Sequence, residues 1–172
     1  TRPIVTADDL KGFKIRVPVS PLWTSMFKAF GAAPASINFS EVYSALQTKI
    51  VDAQENPLTN TVTYGVHKFH HYNTISNHFY ISRPIFLHRP SFDGWPDDLK
   101  AAMQRLVKEA VTFQRGLHIK EEEDAEAAMK AQGCEIVELD AAQHKLFADK
   151  VQPIYAEARK QLGNELFDLM KL

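Results

Sequence analysis

Cysteine is nearly absent from this chain. Cys134 is the single one in 172 residues, which excludes an internal disulfide, a thiolate metal cluster and a redox pair. An excess of either charge is lacking too. Lys+Arg 20 against Asp+Glu 21 leaves a formal net charge of −1, without the basic footprint expected of a nucleic-acid binder. No apolar run approaches the roughly 20 residues that span a bilayer. Thr1-Arg2-Pro3 leads straight into a folded-looking segment, so no signal peptide is read there. Internal repeats, low-complexity tracts, glycine-rich phosphate loops, nucleophile motifs and paired-carboxylate signatures are also missing. An enzyme would need a nucleophile or an acid–base pair, and the sequence supplies neither convincingly.

What is present suits a compact chain of one or two domains. Hydrophobic residues make up 45% of it, enough at this length to bury a real core. The period of the apolar residues switches repeatedly. Ala7 to Gly12 reads as a helical turn stopped by glycine, and Phe13 to Val17 alternates like a strand. Pro21 to Phe30 reads as a helix with Leu22, Met26 and Phe30 on one face and Gly31 as its stop. Ala35 to Phe39 is a short strand, Ser40 is placed to cap a helix over Glu41 to Lys49, and Ile50 to Gln54 is the next strand. This β-α-β-α-β alternation predicts an α/β sheet with crossover helices rather than a bundle.

The second half has a different texture. Asn73 to Phe79 and Ser82 to His88 read as extended segments, with Pro84 making the second an edge strand, a crossing strand or a hinge. Pro96-Asp97-Asp98 opens a very long helix reaching about Gln132, with Gly116 as a candidate bend and Gly133 as the stop. A helix of about 35 residues runs to about 50 Å, more than one small domain can support. It needs two domains to lean on, or a partner. Glu135 to Leu139 is a last strand, followed by helices over Ala141 to Leu162 and Glu165 to Leu172.

Two polar residues stand at the ends of predicted strands, where open α/β sheets place ligands. Arg16 lies in Lys14-Ile15-Arg16-Val17-Pro18, and Asn56 in Val51-Asp52-Ala53-Gln54-Glu55-Asn56-Pro57. Arginine offers a planar fork of donors matched to a carboxylate, and asparagine adds one amide donor and one acceptor. Each also has an ordinary reading: Arg16 as a surface residue at a strand end, Asn56 as the cap of a helix starting at Pro57. His67-Lys68-Phe69-His70-His71-Tyr72 looks like a metal tract. It lacks convergent ligands and has Lys68 among the candidates, so it reads as structural. Glu121-Glu122-Glu123-Asp124 reads as a solvated helix face.

Arg16, then Glu41-Val42-Tyr43-Ser44-Ala45-Leu46-Gln47, then Val51-Asp52-Ala53-Gln54-Glu55-Asn56 occur in order at characteristic separations. In this the chain resembles the substrate-binding subunits of tripartite ATP-independent periplasmic (TRAP) transporters, the DctP-like family. The resemblance covers nearly the whole chain and places about half of a family member, including its opening β/α domain, ahead of Thr1. It implies an α/β, periplasmic-binding-protein-like lobe with a long inter-lobe helix and C-terminal helices. The expected division is a ligand-binding β/α lobe at 1–81, a crossover strand and hinge at 82–95, the spanning helix at 96–133, and a C-terminal strand with helices at 134–172.

The resemblance further implies a periplasmic protein that is not an enzyme and needs no cofactor. It would bind a small organic carboxylate and deliver it to membrane permease subunits. Arg16 would make the salt bridge to the carboxylate, Asn56 a second polar contact, and Phe39 an aromatic wall. His78 and Trp23 are further candidates, each equally readable as core. Tyr43 and Glu41 belong to the motif as packing and capping residues. Lys49 departs from the family, which carries a helix-ending glycine there. Without the other lobe, self-association is expected. A sensory or scaffold domain built on the same half-fold is the alternative function, and a purely helical module would leave Arg16 and Asn56 unexplained.

Overall fold

The computed structural model describes residues 2–170. Three parallel strands form the first sheet: β1 (Lys14–Val17) in the centre, β2 (Ala33–Ser36) on one side and β3 (Ala53–Gln54) on the other. Parallel neighbours need crossovers, and α1 (Pro21–Ala29) and α2 (Val42–Gln47) supply them. Gly31 makes the turn from α1 into β2 at φ +89°, where a side chain would be strained and its Cβ would meet Lys11 Cγ at 3.1 Å.

Alternation along β1 sorts the core into two halves. Ile15 and Val17 join Leu10, Met26, Phe27 and Phe30 in one cluster, closed by Phe147 from the C-terminal helix α6 (Ala141–Leu162). The other cluster gathers Val42, Ala45 and Leu46 of α2 with Val51 and Val66, and Phe39 packs against it.

Beyond β3 the chain makes α3 (Leu58–Thr63), a 3-10 turn at Val66–Phe69 and β4 (Tyr72–Ile75). β4 pairs in parallel with β5 (Glu135–Glu138) in a second sheet. Between them lie α4 (Arg89–Asp93) and α5 (Asp97–Ala131), and α7 (Glu165–Leu169) ends the described chain. α5 has 35 residues with Asp97 and Asp98 in its first turn, as the acids at its start predict, and continues through Gly116. Pro96 is its N-cap rather than a first-turn residue. Its last third is anchored, with Ala125 and Met129 buried and contacts to α3 and β5.

Several local expectations are corrected. Ser82–His88 forms no strand among the described residues and is exposed throughout, because no neighbouring backbone is there to pair with it. Asn73–Phe79 is strand only to Ile75. Ser40 does not cap α2; it sits inside a 3-10 turn (Phe39–Glu41) that precedes the helix, and no side-chain cap bond forms. β2 begins at Ala33 instead of Ala35, and β3 is reduced to two residues. On α1 it is Phe27, not Leu22, that joins Met26 in the core, and Leu22 is exposed. Residues 171 and 172 of the expected last helix lie outside the described residues.

Candidate functional site

Arg16 is the middle of the central strand, aimed to the face opposite Ile15 and Val17. It is 3% exposed, a burial that arginine almost never accepts without a partner. Its Nε donates to the Ile37 carbonyl at 2.9 Å, and its guanidinium carbon lies 5.4 Å from the centroid of the Phe39 ring. Among the described residues no carboxylate comes within ion-pair distance of it, and its other nitrogens have no hydrogen-bond acceptor. Burial pushes its pKa below that of an ordinary arginine, while the negative charge of Glu55 pulls the other way. The result is a buried fork of five N–H donors of which one, Nε–H, has a partner.

The neighbouring strand brings the polar partners. Arg16 is in register with Gln54 of β3, and Glu55 and Asn56 follow directly. Asn56 does not cap α3, whose N-cap is Pro57. Its Nδ2 donates to Gln54 Oε1 at 2.5 Å, and its Oδ1 accepts from Asn60 Nδ2 at 3.5 Å. Its amide is thereby held in one orientation at the mouth of the sheet.

His78 comes from the irregular segment after β4. Its Nε2 lies 3.3 Å from Glu55 Oε2, with the two side chains 17% and 14% exposed. Its Nδ1 lies 2.7 Å from Ser76 Oγ, and its ring meets the Phe27 ring edge-on at 5.4 Å. The next residue, Phe79, stacks on Trp23 with centroids 3.8 Å apart. Trp23 packs against the first core cluster, while its buried indole N–H has no acceptor.

Four of the five predicted residues thus fall into two groups, and Trp23 belongs to the first core cluster. Arg16 and Phe39 touch each other on the α2 side of the sheet. Asn56 and His78 line a cavity of about 630 Å³ between the two sheets and α5, which Arg16, Phe39 and Trp23 do not line. Glu55 joins the groups, bonding His78 and reaching Arg16 by its charge. Sequence reasoning passed over Glu55 and Ser76. Glu55 sits inside the Val51-Asp52-Ala53-Gln54-Glu55-Asn56 motif and next to Asn56, which was the available signal; nothing in the sequence pointed to Ser76.

The histidine tract does not converge. His67 Nδ1 pairs with the Thr61 carbonyl at 3.2 Å, His70 Nε2 with the Asp52 carbonyl at 3.0 Å, and His71 faces Glu135 on the surface. Among the described residues no group of three side chains could hold a metal, and no helix is long and apolar enough to cross a membrane.

A model of the family described as bacterial extracellular solute-binding protein, family 7 (DctP), matches residues 1–161. The chain is 32% identical over 170 residues to the C4-dicarboxylate-binding periplasmic protein DctP of Rhodobacter capsulatus, covering 98% of this chain and 51% of that protein. It is 31% identical to the 2,3-diketo-L-gulonate-binding periplasmic protein YiaO of Escherichia coli, over 97% of this chain and 47% of that one. A TRAP periplasmic solute-binding protein of Pseudomonas putida F1, solved with bound D-glucuronate, superposes with a TM-score of 0.85 at 27% identity, over 99% of this chain and 53% of the other. One from Sulfurospirillum deleyianum with bound succinate gives a TM-score of 0.80 at 30% identity, over 99% and 57%. The chain spans about half the length of the curated relatives it matches.

Proposed function

The chain belongs to family 7 of the bacterial extracellular solute-binding proteins, whose members bind solutes and are not enzymes, and from that premise we propose that it captures a small organic carboxylate on Arg16. One observation carries the reading: a buried arginine on the central strand with a single backbone acceptor and, among the described residues, no carboxylate within ion-pair distance. Leaving a buried charge unpaired is expensive, and a ligand carboxylate accepting two parallel N–H···O bonds would complete the fork. Asn56 adds a pre-oriented amide, Phe39 an apolar wall, and His78 and Trp23 the flank beyond Glu55. The ligands named for the relatives support this chemistry, since C4-dicarboxylates, glucuronate and succinate are all carboxylates.

In the same reading residues 1–81 are the ligand-binding lobe, 82–95 the crossover and 96–133 the helix spanning both lobes, with 134–172 packed back on the first. A second lobe, in the half of its relatives' length that this chain does not span, closes the cleft. The protein works in the periplasm and hands its carboxylate to the membrane subunits of a TRAP transporter. Calorimetry of the complete protein against a panel of organic acids tests the proposal. Saturable binding of at least one acid, lost when its carboxylate is replaced by the neutral amide, is expected; equal binding of acid and amide, or none by any acid, would sink it.

A further inference from the structure

Glu55 and His78 form an ion-pairable contact largely shielded from water, placed where it senses any anion on Arg16. Glu55 is one residue beyond the strand position in register with Arg16, lines the cavity beside Asn56, and touches His78 at 3.3 Å. We propose that Glu55, His78 and Ser76 form a proton-accepting relay beside Arg16, so that a carboxylate captured there brings a fraction of a proton with it. The inference rests on Arg16 being the carboxylate clamp.

Without ligand, the Glu55 and Arg16 charges lie in each other's field. An anion bound to Arg16 offsets that field and adds a negative charge near Glu55. A proton entering from solvent relieves the repulsion: the neutral His78 ring donates Nε2–H to Glu55 Oε2, and the added proton lands on Nδ1, giving an imidazolium that faces Glu55. Ser76 lets the imidazole accept it without losing a bond: its hydroxyl, 2.7 Å from Nδ1, donates to Nδ1 of the neutral ring and can turn to accept from Nδ1–H of the imidazolium.

The remaining groups around the pair do not offer a competing base at this contact. α1 presents the Phe27 ring, which carries no base. Across the cavity α5 contributes His118, Glu122, Glu123 and Glu126, and β5 contributes Glu138. These acids raise the negative potential and so favour uptake. Arg2 and His70 also line the cavity, and His70 is already bonded to the Asp52 carbonyl.

Linkage fixes the sign. If binding takes up protons, affinity rises as pH falls, by at most about tenfold per pH unit for one whole proton. Calorimetry of D-glucuronate, with succinate as the second probe, on the complete protein at pH 7 in phosphate and in Tris reads the uptake directly, because the two buffers differ strongly in ionisation enthalpy. The expected result is buffer-dependent enthalpy with the sign of proton uptake, reduced to near zero by His78→Gln and preserved by His118→Gln. Equal enthalpies in the two buffers, or unchanged uptake in His78→Gln, would overturn the relay. Should that variant fail to fold, the His78 ring titration by NMR in the unaltered protein decides: its midpoint must move up on saturation with D-glucuronate, and an unmoved midpoint refutes the idea. Binding without uptake removes the relay alone, whereas binding of neither probe removes the carboxylate clamp together with it.

Discussion

Arg16 is held by the strand, not by its own side-chain bonds. The alternation that buries Ile15 and Val17 leaves the residue between them no direction except the face beneath Phe39, and the Ile37 carbonyl fixes Nε there. The rest of the fork stays aimed at whatever fills the site. Truncating Arg16→Ala should cost carboxylate affinity on the order of 2–5 kcal/mol, the range for a desolvated charge pair. Arg16→Lys keeps the charge, loses the planar fork, and should also weaken binding strongly. Calorimetry on the complete protein checks both; an alanine variant within about threefold of the unaltered affinity, under ~1 kcal/mol, would show that another residue holds the anion. Arg16 and Phe39 were legible in the sequence because strand alternation and motif order act locally. The Glu55–His78 contact was not, since it joins residues 23 apart through an irregular segment with no pattern to read.

At the level of elements, the chain's punctuation decides what forms. Lys49 ends α2 at φ 59°, a left-handed conformation that costs a side-chain-bearing residue about 1 kcal/mol relative to glycine. Lys49→Gly should therefore raise stability by about that amount in urea unfolding; no gain would mean that Lys49 makes compensating contacts. Asp140 does the opposite work at the start of α6. Its carboxylate accepts from Gln143 N at 2.8 Å while the Gln143 side chain accepts from Asp140 N at 2.9 Å, closing a capping box. Asp140→Ala should cost about 1 kcal/mol and loosen Phe147, the α6 residue buried in the first core cluster, which near-ultraviolet dichroism would register. The spans of α1, α5 and α6 were readable because proline, glycine and acids mark their ends chemically, whereas the short α4 was not read. Strands were less so. β2 and β3 are bounded by which residues of β1 they meet, and Ser82–His88 is extended in sequence pattern yet has nothing to pair with among the described residues.

For the whole molecule, the consequential surface is the first two-thirds of α5 with the segment before it. Leu99, Met103, Leu106, Ala110, Phe113 and Leu117 recur at alternating spacings of four and three, the period of a seam meant for a partner surface. Phe113 is 70% exposed, and Tyr80 and Phe86 are 87% and 83% exposed. Apolar area of that extent is seldom left to water. In the proposed two-lobed protein it meets the second lobe, whose closure also excludes water from Arg16 and strengthens its ion pair. The 172-residue chain alone should consequently self-associate, and it should bind organic acids poorly, because an ion pair on an open wall is worth only about 0–1 kcal/mol. Sedimentation velocity across a concentration series measures the first expectation, and the double variant Leu106→Glu/Phe113→Glu should shift the distribution toward monomer by charging the seam. Calorimetry measures the second. A clean monomer binding an organic acid with micromolar affinity would show that one lobe suffices and that the α5 seam serves some other contact.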